Sequence, residues 1–287
     1  MQISTATQQF LQYLVDKNRS PSTVIAYRKD LQQLEEYLTD LEISKIDTQL
    51  LRSFLSDITK YNYSVKTISR KLNSIKSLFK YLVEYKYLAS DPTKTIAHPI
   101  FESKLPRCLS EQEYRSIRDL ARNNIRLYTL IELMLQTGLR IGEISRLRLE
   151  NIKLKSNPPL ILITENASSP MRTVELNKAA ISVLTTFIPN RLMLKEEQGY
   201  LFNTKNGKNM LIRNIRSSVN KILKKSGIKN ATVNDLRNTF IVHQLNAGVS
   251  LEKVAQTVGH RRYSSTEKYL LLVTRAKLGR ANKVVIL

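Results

Sequence analysis

Arg237, His260 and Tyr269 lie within one stretch of the chain, TVNDLRNTFIVHQLNAGVSLEKVAQTVGHRRYSSTEKY, from Thr232 to Tyr269. A guanidinium grips phosphate oxygens with a planar fork. An imidazole titrating near neutrality can hold or pass a proton. A phenol can become a covalent nucleophile. Together the three types suit attack on a phosphodiester, although such a trio also arises by chance in helical proteins. The spacing predicts how they are held. One helix is expected from about Asp235 to Ala247, stopped by Gly248; a second opens after the cap residue Ser250 and stops at Gly259. Arg237 rides on the first, His260 follows the second, and Tyr269 lies nine residues farther on.

Another arginine, Arg140, stands upstream in QTGLRIGEISRLRL. At this point the pattern resembles the tyrosine recombinases, the lambda-type integrases and Xer-like recombinases. TGLRIGE is similar to the family's first-arginine motif, LRNTF to its LRHTF phrase and GH to its LGH, and Tyr269 follows at the family's spacing. The resemblance extends over nearly the whole chain. It implies that Arg140, Arg237 and His260 surround a scissile phosphate and that Tyr269 attacks it, leaving a 3′-phosphotyrosine. It implies no metal and no cofactor. It implies double-stranded DNA with paired inverted half-sites as partner. Glu143 could instead be the structural partner that a buried Arg140 needs.

Two positions depart from the family pattern. Arg172 to Leu176 aligns with the family's RxVPL phrase, and counting back puts Ala167 where the family carries a hairpin lysine acting as general acid. No lysine occurs between Lys155 and Lys178; Lys205 and Lys208 are the nearest substitutes in a donor-rich loop. Asn234 stands three residues before Arg237, where the family has the histidine of HxxR. An amide donates to phosphate but carries no proton at neutral pH. The departures leave an alternative open: a catalytically impaired DNA-binding accessory protein on the same scaffold.

The remaining elements must carry these groups. Four helices are expected over residues 4–92: about Thr5 to Val15; a second after Ser20 and Pro21 with Val24, Tyr27, Leu31, Leu34 and Leu38 on one face; a third after Asp47; and a fourth from about Val65 to Tyr85. The fourth helix turns Lys66, Arg70 and Lys80 away from its apolar stripe, and the resemblance implies that this face lies against DNA. Residues 93–107, proline-rich and without periodicity, read as a linker. Beyond it, Ser110 and Glu113 form a capping-box phrase, and Ile125 to Gln136 reads as an apolar helix ended by Gly138. PPLILIT and MRTVEL read as a β-hairpin turning at NASSP. Another helix spans 181–188, and one from Leu211 to Ser226 turns Arg213 and Arg216 outward. The resemblance places that last helix in the major groove, with Arg213 the candidate for a base contact. His243, six residues after Arg237, is expected to pack. The fold class is mainly α with a small β-hairpin, in a two-domain clamp. Residues 1–92 form a helical, SAM-like core-binding domain, and residues 108–287 a catalytic domain with a C-terminal tail.

Composition agrees with this organisation. The chain has 287 residues, 42% of them hydrophobic, enough for one large or two modest domains. Its 46 Lys and Arg against 24 Asp and Glu give a net charge of +22. Residues 1–100 account for +4 of this and the remainder for +18. So large an excess favours a polyanionic partner, DNA first. The single Cys108 forms no internal disulfide, which fits a reducing compartment. No zinc-ligand spacing, no phosphate loop, no secretory signal and no membrane-length apolar run is present, so a cytoplasmic, nucleoid-associated protein is expected. The apolar end, LLLVTRAKLGRANKVVIL, suits docking, on this subunit or on a second copy.

Overall fold

The computed structural model describes residues 1–100, 104–165, 170–191 and 199–273. Ala167 and the tail beyond Val273 lie outside the described residues. The chain divides into two compact units, Met1–Ser103 and Lys104–Leu287.

The first unit is four helices: α1 (Ile3–Asp16), α2 (Pro21–Leu38), α3 (Thr48–Thr59) and α4 (Val65–Glu84). Their starts follow the cap residues. Ser20, Asp47 and Ser64 each accept a hydrogen bond from a backbone N–H three residues on, and Pro21 opens α2. The expected stripes, including Leu31, Leu34, Leu72, Ile75, Phe79 and Leu82, form the core with Phe10 and Phe54. Within this core Asp30 is buried, a costly position unless its charge is met. Lys71 Nζ (3.1 Å), Ser74 Oγ (2.9 Å) and Arg70 Nη1 all meet it, tying α4 to α2. The core reaches past the expected domain edge. Thr93 and Ile96 are buried in it, and Thr48 and Arg52 of α3 donate to the carbonyls of Pro92 and Thr95. One apolar residue, Ile96, anchors a stretch whose prolines conceal any periodicity.

The second unit contains α5 (Glu111–Ala121), α6 (Ile125–Thr137), α7 (Ile141–Arg146), β1 (Ile152–Lys153), β2 (Leu160–Ile163), β3 (Arg172–Glu175), α8 (Lys178–Arg191), α9 (Ile212–Lys225), α10 (Val233–Asn246), α11 (Leu251–Val258) and α12 (Ser264–Glu267). The three strands form one antiparallel sheet in the order β1–β2–β3, with Leu160 opposite Glu175 at the open end of the β2–β3 hairpin and Ile163 opposite Arg172 next to the turn. β1 is two residues long, too short to leave a pattern in the sequence.

The α8 helix runs beyond the expected span of 181–188. Asn177 Oδ1 caps the Ala180 N–H at 3.0 Å, and Pro189 falls in the last turn, where its missing N–H costs one backbone bond. The α10 helix begins at Val233 rather than Asp235, because Thr232 and Asp235 close a capping box.

Helix α6 is buried nearly all round and forms the centre of this unit. It ends at Gly138 with φ +62°, and a Cβ there would lie 2.4 Å from the Phe240 ring of α10. Only glycine lets α6 end so close to α10, and that approach puts the Gly138 carbonyl beside Arg237.

Candidate active site

Three arginines converge on the C-terminal end of α11. Arg140 is the residue before α7, Arg172 opens β3, and Arg237 lies on α10. Thr257 O accepts from Arg172 Nε at 2.8 Å, Val258 O from Arg237 Nη2 at 2.6 Å, and Gly259 O from Arg140 Nη2 at 2.6 Å. A helix leaves its last carbonyls without internal partners, and its C-terminal end carries partial negative charge. Three successive carbonyls thus each hold one guanidinium. Arg237 Nη1 donates in addition to Gly138 O.

Glu143 supplies the negative charge at the centre of this group, with only 1% of its side chain exposed. Its Oε1 accepts from Arg172 Nη1 (2.8 Å) and Arg140 Nη1 (3.1 Å). Its Oε2 accepts from Arg172 Nη2 (2.9 Å) and the Arg140 backbone N–H (2.8 Å). One carboxylate against three guanidiniums leaves a positive surplus in a poorly solvated place. Burial, and next the charge of Arg140, push the pKa of Arg237 down to about 9, with Glu143 opposing. Arg237 stays protonated at neutral pH, but an incoming anion would be held strongly.

His260 follows Gly259, whose φ of +68° turns the chain out of α11. Its Nδ1 is 2.7 Å from Thr266 Oγ1 of α12. Burial first, then Arg237, Arg140 and Lys268, lower its pKa to about 3. The ring is therefore neutral at physiological pH and carries one N–H. It stacks against Tyr269, with centroids 6.4 Å apart and planes 16° apart.

Tyr269 is only 4% exposed. Its hydroxyl donates to Asn238 Oδ1 at 2.8 Å. Asn238 Nδ2 in turn donates to Arg107 O (3.0 Å) and Asp235 Oδ1 (3.2 Å), which fixes the amide with its oxygen toward the phenol. Burial raises the pKa of the phenol; Arg237 opposes this, while Cys108 and Asp235 add to it. The nucleophile candidate is thus protonated, and its hydroxyl is turned to an amide that cannot take the proton.

Four of the residues expected from the sequence, Arg140, Arg237, His260 and Tyr269, come together here. Glu143 does pair with Arg140, so the structural partner and the arginine cluster coexist. Asn234 is exposed on α10, one turn before Arg237. Lys205 and Lys208 are exposed on a loop closed by the Asn203–Asn209 bridge, and Arg213 and Arg216 are exposed on α9. In the first unit Lys66 and Lys80 are exposed on α4, whereas Arg70 is half-exposed and engages Asp30. Sequence reasoning assigned no role to Arg172, Asn238 or Thr266. Arg172 had a signal in the RxVPL phrase and Asn238 one in its place after Arg237; Thr266 had none. Among the described residues no cluster of His, Cys, Asp and Glu could hold a metal ion, and no helix is long and apolar enough to cross a membrane.

Comparison with known proteins finds similarity along most of the chain. A family model described as "Phage integrase family" matches residues 107–274, and one described as "Phage integrase, N-terminal SAM-like domain" matches residues 7–86. Tyrosine recombinase XerD of Staphylococcus aureus (strain N315) is 31% identical over 283 residues, covering 93% of this chain and 94% of the relative. The Tn1549 transposon integrase, solved in complex with transposon right end DNA, shares the fold with a TM-score of 0.78 at 19% identity, over 94% of each chain. A lambda integrase dimer bound to a COC' core site has a TM-score of 0.76 at 15% identity, covering all of this chain and 81% of that one.

Proposed function

The chain belongs to the phage integrase family of tyrosine recombinases, site-specific DNA strand-exchange enzymes, and on that premise we propose that Arg140, Arg237, His260 and Tyr269 carry the reaction. The observation that supports this reading most is the convergence of the arginines on the end of α11 with His260 and Tyr269 alongside. Each guanidinium has five N–H donors, so the carbonyl bonds and bonds to phosphate can coexist. Arg140 and Arg237 hold the nonbridging oxygens of the scissile phosphate and stabilise the charge that grows in the transition state. Neutral His260 donates its one N–H to the same oxygens. Tyr269 leaves Asn238, gives its proton to water and attacks phosphorus; the bond from phosphorus to the 5′-oxygen breaks, and that oxygen takes up a proton. The product is a 3′-phosphotyrosine and a 5′-hydroxyl. A 5′-hydroxyl of the partner duplex reverses the step, so the covalent link conserves the bond and no ATP is consumed.

The partner in this reading is double-stranded DNA with paired inverted half-sites. Lys66, Arg70, Lys80, Arg213 and Arg216 contact it, and copies associate through the tail beyond Val273. The site of action is the nucleoid. Asn234 donates to the phosphate in place of the HxxR histidine. With Ala167 at the hairpin lysine position, Lys205 or Lys208 supplies the leaving-group proton, or water does so slowly.

The test starts by selecting a bound duplex from a random library and nicking it near the cleavage point, which traps the covalent intermediate. An adduct is expected with the native chain and none with Tyr269→Phe; an adduct that persists in Tyr269→Phe sinks the assignment. A 5′-bridging phosphorothiolate, whose thiolate leaves without protonation, isolates the acid. Ala167→Lys is expected to speed cleavage of the ordinary phosphodiester by about 10² or more and the phosphorothiolate far less.

A further inference from the structure

We propose that Arg172 is a positioning residue for strand cleavage: it fixes Glu143 and the end of α11, and through them aims Arg140 at the phosphate. The inference rests on the reading of Arg140 and Arg237 as the phosphate clamp. Arg172 itself is poorly placed to touch DNA, with 8% of its side chain exposed. Its guanidinium instead makes three bonds at once. Two form a fork on Glu143, at 2.8 and 2.9 Å, and the third runs from Nε to Thr257 O at 2.8 Å.

Both oxygens of Glu143 are shared in the same way. Oε1 lies between Arg172 Nη1 and Arg140 Nη1, and Oε2 between Arg172 Nη2 and the Arg140 backbone N–H. The fork is planar, so it sets the plane of the carboxylate. That plane in turn fixes where the Arg140 backbone and guanidinium sit. Gly259 completes the fit, since a Cβ there would come within 2.8 Å of Arg172 Nη1. Arg172 also pairs with Ile163, the last pair before the chain passes from β2 to β3, and the family lysine position falls between these two residues in the sequence. Arg172 thus joins the hairpin to the arginine clamp, beside the Lys253–Glu175 pair (3.0 Å) that ties β3 to α11.

Simple neutralisation of Glu143 is the competing account, and lysine distinguishes the two. A lysine keeps the charge but is a compact cation without a fork, so it cannot impose the plane. On the selected nicked duplex, Arg172→Lys is expected to form the covalent adduct about 10²-fold more slowly at saturating DNA. Its DNA affinity should stay within about twofold, and its reactive fraction should match the native chain. Adding Glu143→Gln to Arg172→Lys should cost little more, since both act through one contact.

An Arg172→Lys rate equal to the native rate overturns the proposal. So does a loss confined to the reactive fraction with an unchanged rate constant, because that is a folding defect alone. If Arg172→Lys does not fold, Arg172→Gln takes its place, and failure of both to fold assigns Arg172 to stability and overturns the positioning role. Arg140→Ala separates the two readings. If it cleaves at the native rate, the clamp assignment fails; if it is inactive while Arg172→Lys is normal, only the present inference fails.

Discussion

His260 titrates far below its ordinary range because it is buried and faces several cations. In the unfolded chain its pKa returns to near ~6.5. Between that value and about 3 the unfolded state binds a proton that the folded state does not, so the contribution of His260 to stability is present above ~6.5 and is lost as pH falls. Urea midpoints at pH 7 and pH 4.5 should therefore differ, and His260→Gln should narrow the difference. An unchanged difference would show that His260 is not the group responsible; His243, lowered first by burial, acts in the same direction and remains in the variant. Glu143→Ala removes the one carboxylate between Arg140 and Arg172, leaving buried cations uncompensated. A loss of about 3–5 kcal/mol in unfolding free energy is expected, and a loss under ~1 kcal/mol on the same measure would mean that the pair behaves as if exposed. At this scale the sequence was readable where a motif named the residue, as for Arg140 and Tyr269. Asn238 and Arg172 lay beside or within such phrases, but their roles stayed hidden because their partners, a phenol and the carboxylate and carbonyls of distant elements, meet them only after folding.

Two glycines end helices at the site, and they are expected to respond differently to alanine. Gly138→Ala puts a methyl group into the Phe240 ring as well as into a left-handed conformation, so it should cost about 2 kcal/mol or more in thermal unfolding. Gly259→Ala meets the end of the flexible Arg172 side chain instead. Stability should fall by only about 1–2 kcal/mol, while the cleavage rate falls by a larger factor. If cleavage by Gly259→Ala drops no more than its folded fraction, the close approach to Arg172 has no part in the reaction. Helix ends were legible in the chain wherever a cap and a glycine marked them, as at Ser20, Ser110, Ser250 and Gly259. The elements that escaped notice, β1 and α12, span only about one period of a strand or a helix, too little for a pattern to repeat. The extra length of α8 depends on Asn177, a cap that gave no signal without its helix.

At the scale of the whole chain, the net charge of +22 makes counterion release the main drive for binding DNA in the proposed function. The logarithm of affinity should fall with the logarithm of salt concentration by roughly 0.9 for each phosphate neutralised, several units in all; a flat response between low and physiological salt would remove DNA as the partner. Residues 1–103 and 104–287 made separately should each bind the selected duplex more weakly than the joined chain, because linkage raises local concentration. Equal affinity of either piece would mean that the other adds nothing. The helical architecture and its two-part division were readable from charge, caps and stripes. The end of the first unit was less so, because Ile96 packs without any periodic neighbour.

At the end of α11 the arginines are received by main-chain oxygens at 257, 258 and 259, while the side chain that receives two of them, Glu143, belongs to α7. A point substitution changes a side chain and leaves the carbonyl where it was. The receiving segment should therefore tolerate drift at Thr257, where serine or valine would preserve the same oxygen. Length is another matter. Inserting or deleting one residue between Ala255 and His260 would shift all three oxygens against three arginines fixed elsewhere, and each would face the wrong neighbour. Lineages of this protein should accumulate replacements at Thr257 and almost never gaps in that segment, so what is inherited there, besides Gly259 and His260, is chiefly the length and path of the backbone.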